Sequence, residues 1–218
     1  MSAPANPTVA LRPKFPSAPF RTAPEYFAAY AEESARAAST VDPVEIQRAA
    51  EVLLECYQRG GAVFSCGNGG SAAIANHLQC DHLKGVRSGT DLAPRVASLS
   101  SNVEVLTAIA NDLMYDEVFS YQLQSQARPG DVLVAISSSG RSPNIMRALL
   151  WARENDLRTI ALTGFDGGEA RIAAEVVLHV DSANYGVIED AHQAIMHALA
   201  QYIRQSRMTH HAISSTTF

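Results

Sequence analysis

Asp131-Val-Leu-Val-Ala-Ile136, followed by Ser137-Ser138-Ser139-Gly140-Arg141-Ser142-Pro143, is the stretch that decides the fold. Its apolar run is short, rich in β-branched residues and opened by the Pro129-Gly130 turn, so it reads as a strand covered on both faces. Ser142 then Pro143 is an N-cap followed by proline at the first helical position. The loop between them sets four serine hydroxyls and several backbone N–H groups at a helix N-terminus, where the macrodipole favours an anion. Such a loop suits one phosphate. Taken alone it could be a mere turn, but a second loop of the same kind shifts the balance. Gly61-Ala-Val-Phe-Ser65 is another strand and ends in Cys66-Gly67-Asn68-Gly69-Gly70-Ser71 before a helix. Both loops belong at the carboxyl edge of one parallel sheet, where open α/β folds bind ligands.

Working outward, the apolar periodicity predicts strands near 62–66, 94–99, 131–136, 158–163 and 176–180. It predicts helices near 70–84, 102–110, 114–126, 142–155, 168–174 and 187–206. This alternation argues for an α/β fold with a parallel sheet and helices on both faces. Two more helices precede it. One starts at Pro24-Glu25 with Tyr26, Phe27, Tyr30 and Ala31 as its stripe, and the other at Asp42-Pro43. Six of the ten prolines fall within residues 1–24, so 1–23 is an extended proline-rich arm. Residues 24–206 form a single domain, and 207–218 are a polar, frayed tail.

With 218 residues, the chain is long enough to bury about 70% of its unfolded surface; it is 47% hydrophobic and 18% charged. A net charge of −5 leaves no basic footprint for nucleic acid or membrane. Cys56, Cys66 and Cys80 show neither a disulfide framework nor metal spacing. A reducing, cytoplasmic setting is the natural expectation, since no apolar run reaches the roughly 18 residues that span a bilayer.

The glycine loop does not fit G-x-G-x-x-G, and neither loop carries the Gly-Lys-Ser/Thr of a triphosphate loop. A small phosphorylated metabolite fits better than a nucleotide cofactor. Two further clusters can supply chemistry. His77 and Asp81, four apart, share a helix face, and Glu189, Gln193 and His197 line one flank of the last helix. Histidine and carboxylate on two helices suit proton transfer next to a carbonyl, or a divalent metal site with nitrogen and oxygen ligands. With a sugar phosphate as ligand, both lead to aldose–ketose isomerisation.

Cys66-Gly-Asn-Gly-Gly-Ser71, His77, Ile136-Ser-Ser-Ser-Gly140 with Ser142, Ala161-Leu-Thr-Gly164 with Asp166-Gly-Gly168, and His197 together resemble the sugar isomerase (SIS) domain, closest to its phosphoheptose isomerase branch. The resemblance spans roughly residues 25–205. It implies a three-layer, flavodoxin-like α/β/α sandwich with a five-stranded parallel sheet, assembled as a homotetramer with active sites between subunits. It implies conversion of sedoheptulose 7-phosphate to D-glycero-D-manno-heptose 7-phosphate, towards nucleotide-activated heptose for surface polysaccharide. By position, Ser137, Ser138, Ser139 and Ser142 would hold the phosphate, with Asn68, Gly69, Ser71 and Asp112 on the substrate. Asp81 and His197 would be catalytic, and His77, Asp81, Glu189 and His197 would hold zinc.

Two positions depart from the family pattern, which has glutamate at 81 and glutamine at 189. A carboxylate one methylene shorter stands about an ångström back, a displacement that can cost on the order of 100-fold. Two other readings therefore stay open: an isomerase of another phosphosugar, and a non-catalytic SIS protein of the kind that binds the replication initiator. Lys84 and Arg141 are further cations near the site, each expected at the solvated surface.

Overall fold

Five short apolar runs bury alternate side chains in opposite directions, and this alternation builds two cores on one sheet. The computed structural model describes residues 14–218. After α1 (Ala23–Ala38) and α2 (Pro43–Gln58) come β1 (Ala62–Gly67) and α3 (Gly70–Cys80), which continues as a π-helical turn (Asp81–Val86). Then follow β2 (Arg95–Ser98), α4 (Val103–Asp112), a 3₁₀ turn (Tyr115–Glu117), α5 (Ser120–Gln126), β3 (Val132–Ser137) and α6 (Pro143–Glu154). The chain ends with β4 (Arg158–Thr163), α7 (Ala170–Ala173), β5 (Val176–His179), α8 (Tyr185–Ser206) and α9 (His210–Ser215).

The sheet order is β2-β1-β3-β4-β5 and every neighbouring pair is parallel. Val63, Val132, Val134, Ile136, Ile160 and Leu162 face one apolar layer, with α2, α3 and α8. Phe64, Leu133, Ala135 and Ala161 face the other, with α4 to α7. This is the expected three-layer α/β/α sandwich. The strand order reverses between β1 and β3, the two strands that end in the glycine and serine loops, so both loops flank the topological switch point. Buried Asp131 ties the start of this pair, accepting from the Ala62 and Arg128 amides at 2.8 and 2.9 Å.

Four expectations change. The helix expected over 70–84 widens into the π-turn at Asp81. The one expected over 114–126 is broken into the 3₁₀ turn and α5, with buried Val118 and Phe119 between them. Helix α7 is confined to four residues, since Gly167 and Gly168 before it hold φ of 86° and 52°. In the polar tail, the Thr209 hydroxyl caps α9 by accepting from the Ala212 amide at 3.3 Å. The larger part of the proline-rich arm lies outside the described residues. Its described end packs on its own chain, with the Phe15 ring 5.6 Å from Tyr26 and 6.1 Å from Tyr30.

Leu133, fully buried in the middle of β3, tests this packing. Leu133→Ala is expected to cost about 2–5 kcal/mol of unfolding free energy. The measurement is urea denaturation, where the midpoint should fall with the slope unchanged.

Candidate active site

The serine loop is tied down through its backbone, and two of its four hydroxyls accept from its own amides. Ser137 and Ser138 are buried at the end of β3, while Ser139 and Ser142 are half-buried. The Ser138 Oγ is buried without a hydrogen-bond partner, and Ser142 stands at the N-cap of α6 without its hydroxyl capping the helix. A buried hydroxyl left unpaired costs about 1–3 kcal/mol, which an acceptor such as phosphate would recover. The other two are engaged from within, Ser137 Oγ accepting from the Gly140 amide at 3.2 Å and Ser139 Oγ from the Arg141 amide at 3.3 Å.

The loop after β4 buttresses this one. Gly140 has φ of 63°, and a Cβ there would collide with the Gly167 carbonyl. The Gly164 amide donates to the Ser138 carbonyl at 2.8 Å and the Ala170 amide to that of Gly140 at 3.0 Å. Arg141 forks onto both carboxylate oxygens of Asp166, at 2.7 Å on Oδ1. The guanidinium, followed by the Gly168 amide, holds the Asp166 carboxyl down to about 2. Arg141 is thus spent on the loop rather than left for a ligand.

In the glycine loop, Gly69 takes φ of 55° before α3, and Ser71 is buried in the first turn. The Asn68 and Asn144 amides donate to each other at 2.9 Å in both directions, and the Tyr115 hydroxyl donates to Asn68 Oδ1 at 2.8 Å. One amide pair therefore bolts the glycine loop to the helix of the serine loop. Asp112, exposed at the end of α4, accepts from the Asn111 amide at 2.8 Å.

Farther along α3, His77 and Asp81 meet His197 of α8. His77 Nε2 lies 3.1 Å from Asp81 Oδ1 and 3.2 Å from His197 Nε2, which is 3.6 Å from Asp81 Oδ2. The Gln193 amide approaches His197 Nε2 at 2.9 Å. Zinc with bonds of about 2.0–2.1 Å has tetrahedral edges of about 3.3 Å, so two imidazoles and a carboxylate at these spacings fit such an ion. Asp81 opens the π-turn, and the next residue, His82, points into the core, where its Nδ1 meets the Tyr57 hydroxyl at 2.6 Å. Burial pushes the His82 imidazole down to about 4, so it is neutral at physiological pH.

A model of the SIS domain matches residues 25–164 of the chain. The phosphoheptose isomerase of Alteromonas mediterranea is 40% identical over 173 residues, 78% of this chain and 87% of that protein. That of Neisseria gonorrhoeae is 38% identical over 190 residues, 84% of this chain and 95% of the relative. The solved structure of phosphoheptose isomerase GmhA from Neisseria gonorrhoeae superposes with a TM-score of 0.77 at 37% identity, covering 84% of this chain and 100% of the other. One from Francisella tularensis gives 0.76 at 30% identity, covering 84% and 96%. The chain belongs to the SIS domain family, in its phosphoheptose isomerase branch.

In this SIS domain the expected groups assemble in two places. The serine and glycine loops share the carboxyl edge of the sheet, while His77, Asp81 and His197 gather on the outer faces of α3 and α8. Glu189, expected with the metal set, is not among those three. Its carboxylate instead covers Gly70, where a Cβ would collide with it. The helix N-terminus there attracts a carboxylate, yet burial, reinforced by Asp190, raises its pKa. Sequence reasoning missed Asn144, Tyr115, Tyr57 and His82. Only Asn144 left a usable signal, as a polar residue in the first turn after Ser142-Pro143.

Two measurements follow. Gly140→Ala should destabilise the fold by at least about 2 kcal/mol through strain and collision, read in urea denaturation. Burial also pushes His192 down to about 4, as it does His82, whereas an unfolded histidine titrates near 6.5, so stability should be full above about pH 6.5 and fall as pH drops towards 4, by up to about 1.4 kcal/mol per pH unit from each of the two. Denaturation midpoints at pH 7 and pH 5 test this, and His192→Leu should remove about half of the loss, leaving the share of His82.

Proposed function

We propose that this protein is a phosphoheptose isomerase, converting sedoheptulose 7-phosphate to D-glycero-D-manno-heptose 7-phosphate, a precursor of nucleotide-activated heptose. The observation that carries the reading is the convergence of His77, Asp81 and His197, in a chain about 40% identical to proteins of that name. A module that only binds sugar phosphate has no use for that convergence, so the binding-only alternative is set aside.

Ser137, Ser138, Ser139 and Ser142, with the first N–H groups of α6, hold the phosphate. Asn68, Gly69, Ser71 and Asp112 line the sugar. Asp81 removes a proton from C1 of the ketose; the electron pair forms the C1–C2 double bond and His197 protonates O2. His197 then takes the proton from O1 while Asp81 returns its proton to C2, which leaves the aldose. His77, Asp81 and His197 would hold zinc, which would polarise the carbonyl in place of the His197 proton, since an imidazole nitrogen bound to a cation cannot also carry a proton. A carboxylate has two oxygens, so binding a cation with one leaves the other for the proton.

Along α3 the step from Ser71 to Asp81 is about 15 Å, and α6 lies on the opposite face of the sheet from α3 and α8. The reading therefore includes a homotetramer whose subunits complete one another's sites. Exposed Phe27, Val103, Tyr121 and Tyr185 supply apolar surface for such contacts. No described helix is long and apolar enough to cross a membrane. Three free cysteines suit the cytoplasm.

Purified protein should turn sedoheptulose 7-phosphate into an aldose at a higher kcat/KM than other ketose phosphates. Asp81→Asn and His197→Ala should each lose about 10²–10⁴-fold in kcat with unchanged melting temperature. Chelation should slow the reaction and zinc restore it. Binding of the sugar without turnover, with or without zinc, would overturn the reading.

A further inference from the structure

Asp81 has one methylene between backbone and carboxylate, so its reach is set almost wholly by where the main chain places it. That main chain is the first residue of the π-turn Asp81–Val86, a geometry rare enough to require a cause. The helix is still regular at its threshold, where the Asp81 amide donates to the His77 carbonyl. From there the wider turn leans on α8, and Arg204 of α8 fastens the segment beyond it by donating to the Ser88 carbonyl at 2.9 Å.

What fixes the rotation of this turn lies beneath it. His82 and Val86 are fully buried, and His82 Nδ1 is joined to the hydroxyl of buried Tyr57, near the end of α2. The other ring nitrogen, Nε2, is buried without a partner. An apolar side chain would fill that space at no polar cost. What the imidazole adds is direction, because a hydrogen bond of 2.6 Å fixes an angle that apolar contact leaves free.

We infer that Tyr57 and His82 are positioning residues, whose buried hydrogen bond anchors the π-turn so that the short carboxylate of Asp81 meets both His77 and His197. This rests on the reading of those three residues as the isomerase centre. The anchor stands in for the missing methylene, with the backbone brought forward instead of the side chain being longer.

The test uses the full-length protein, measuring kcat and KM for sedoheptulose 7-phosphate and zinc affinity by competition with a chromogenic chelator. Tyr57→Phe and His82→Leu should lower kcat and weaken zinc binding by about 10–100-fold, with KM little changed. His82→Asn, whose amide oxygen can accept the tyrosine hydroxyl in place of Nδ1, should recover most of both. Adding Asp81→Glu to Tyr57→Phe should also recover part of the loss, since the longer side chain no longer needs the turn. Wild-type turnover and zinc affinity in Tyr57→Phe would overturn the inference. So would His82→Asn performing no better than His82→Leu, the deciding comparison if Tyr57→Phe fails to fold. A wild-type protein that neither binds zinc nor isomerises would instead remove the centre itself, and the positioning role with it.

Discussion

Two helices, more than a hundred residues apart in the chain, lie parallel and in register, and the convergence of His77, Asp81 and His197 depends on that packing. Glu189 of α8 stands beside Gly70 of α3, and His197 stands beside His77. Both helices thus advance together by about 10–12 Å between the two contacts. Apolar burial holds the pair, through Ile74, Ala75 and Leu78 on one side and Ile188, Ala191, Ile195 and Leu199 on the other. Gly70 makes the upper contact close, because any Cβ there would collide with the Glu189 carboxylate.

Against that apolar background the polar groups fall into two kinds. Some are paired within the fold and serve as bolts: the Asn68–Asn144 amide pair, the Arg141–Asp166 fork and the Asp131 carboxylate. Others are left short of a partner, as with the Ser138 hydroxyl. Buried polar groups are normally paired, so an unpaired hydroxyl at the end of a central strand is one that a ligand acceptor would satisfy. The bolts keep the backbone fixed around it.

Strands were legible in the sequence because a parallel strand buried on both faces must be apolar at nearly every position, as in Val132–Ile136. Both loops were legible because glycine and serine at a strand end leave few other readings. Asn144 pairing with Asn68 was not, since an amide pair 76 residues apart has no local pattern. The π-turn was hidden for a similar reason: His82 looks like an ordinary helical residue until Tyr57 is found beneath it. Glu189 lies apart from the three because spacing along α8 groups it with His197, whereas helix ends decide what each neighbour meets. Two turns separate those residues, so one faces the N-terminus of α3 and the other its C-terminal end.

The serine and glycine loops and the His77–Asp81–His197 cluster therefore answer to different parts of the fold. Strand ends and left-handed glycines such as Gly69 and Gly140 shape the loops. The cluster sits on the outer faces of two helices, with the side chains of His77, Asp81 and His197 exposed by 49, 22 and 44%. An enediolate lasts only where water is kept away from its reactive carbon, and a cluster this open does not exclude water by itself. Covering it with a second subunit would shut out solvent and bring a phosphate cradle from outside, so assembly and catalysis would be one requirement. The cost of desolvating three polar groups would then fall due only when the covering surface arrives, and the free chain can keep them half in water.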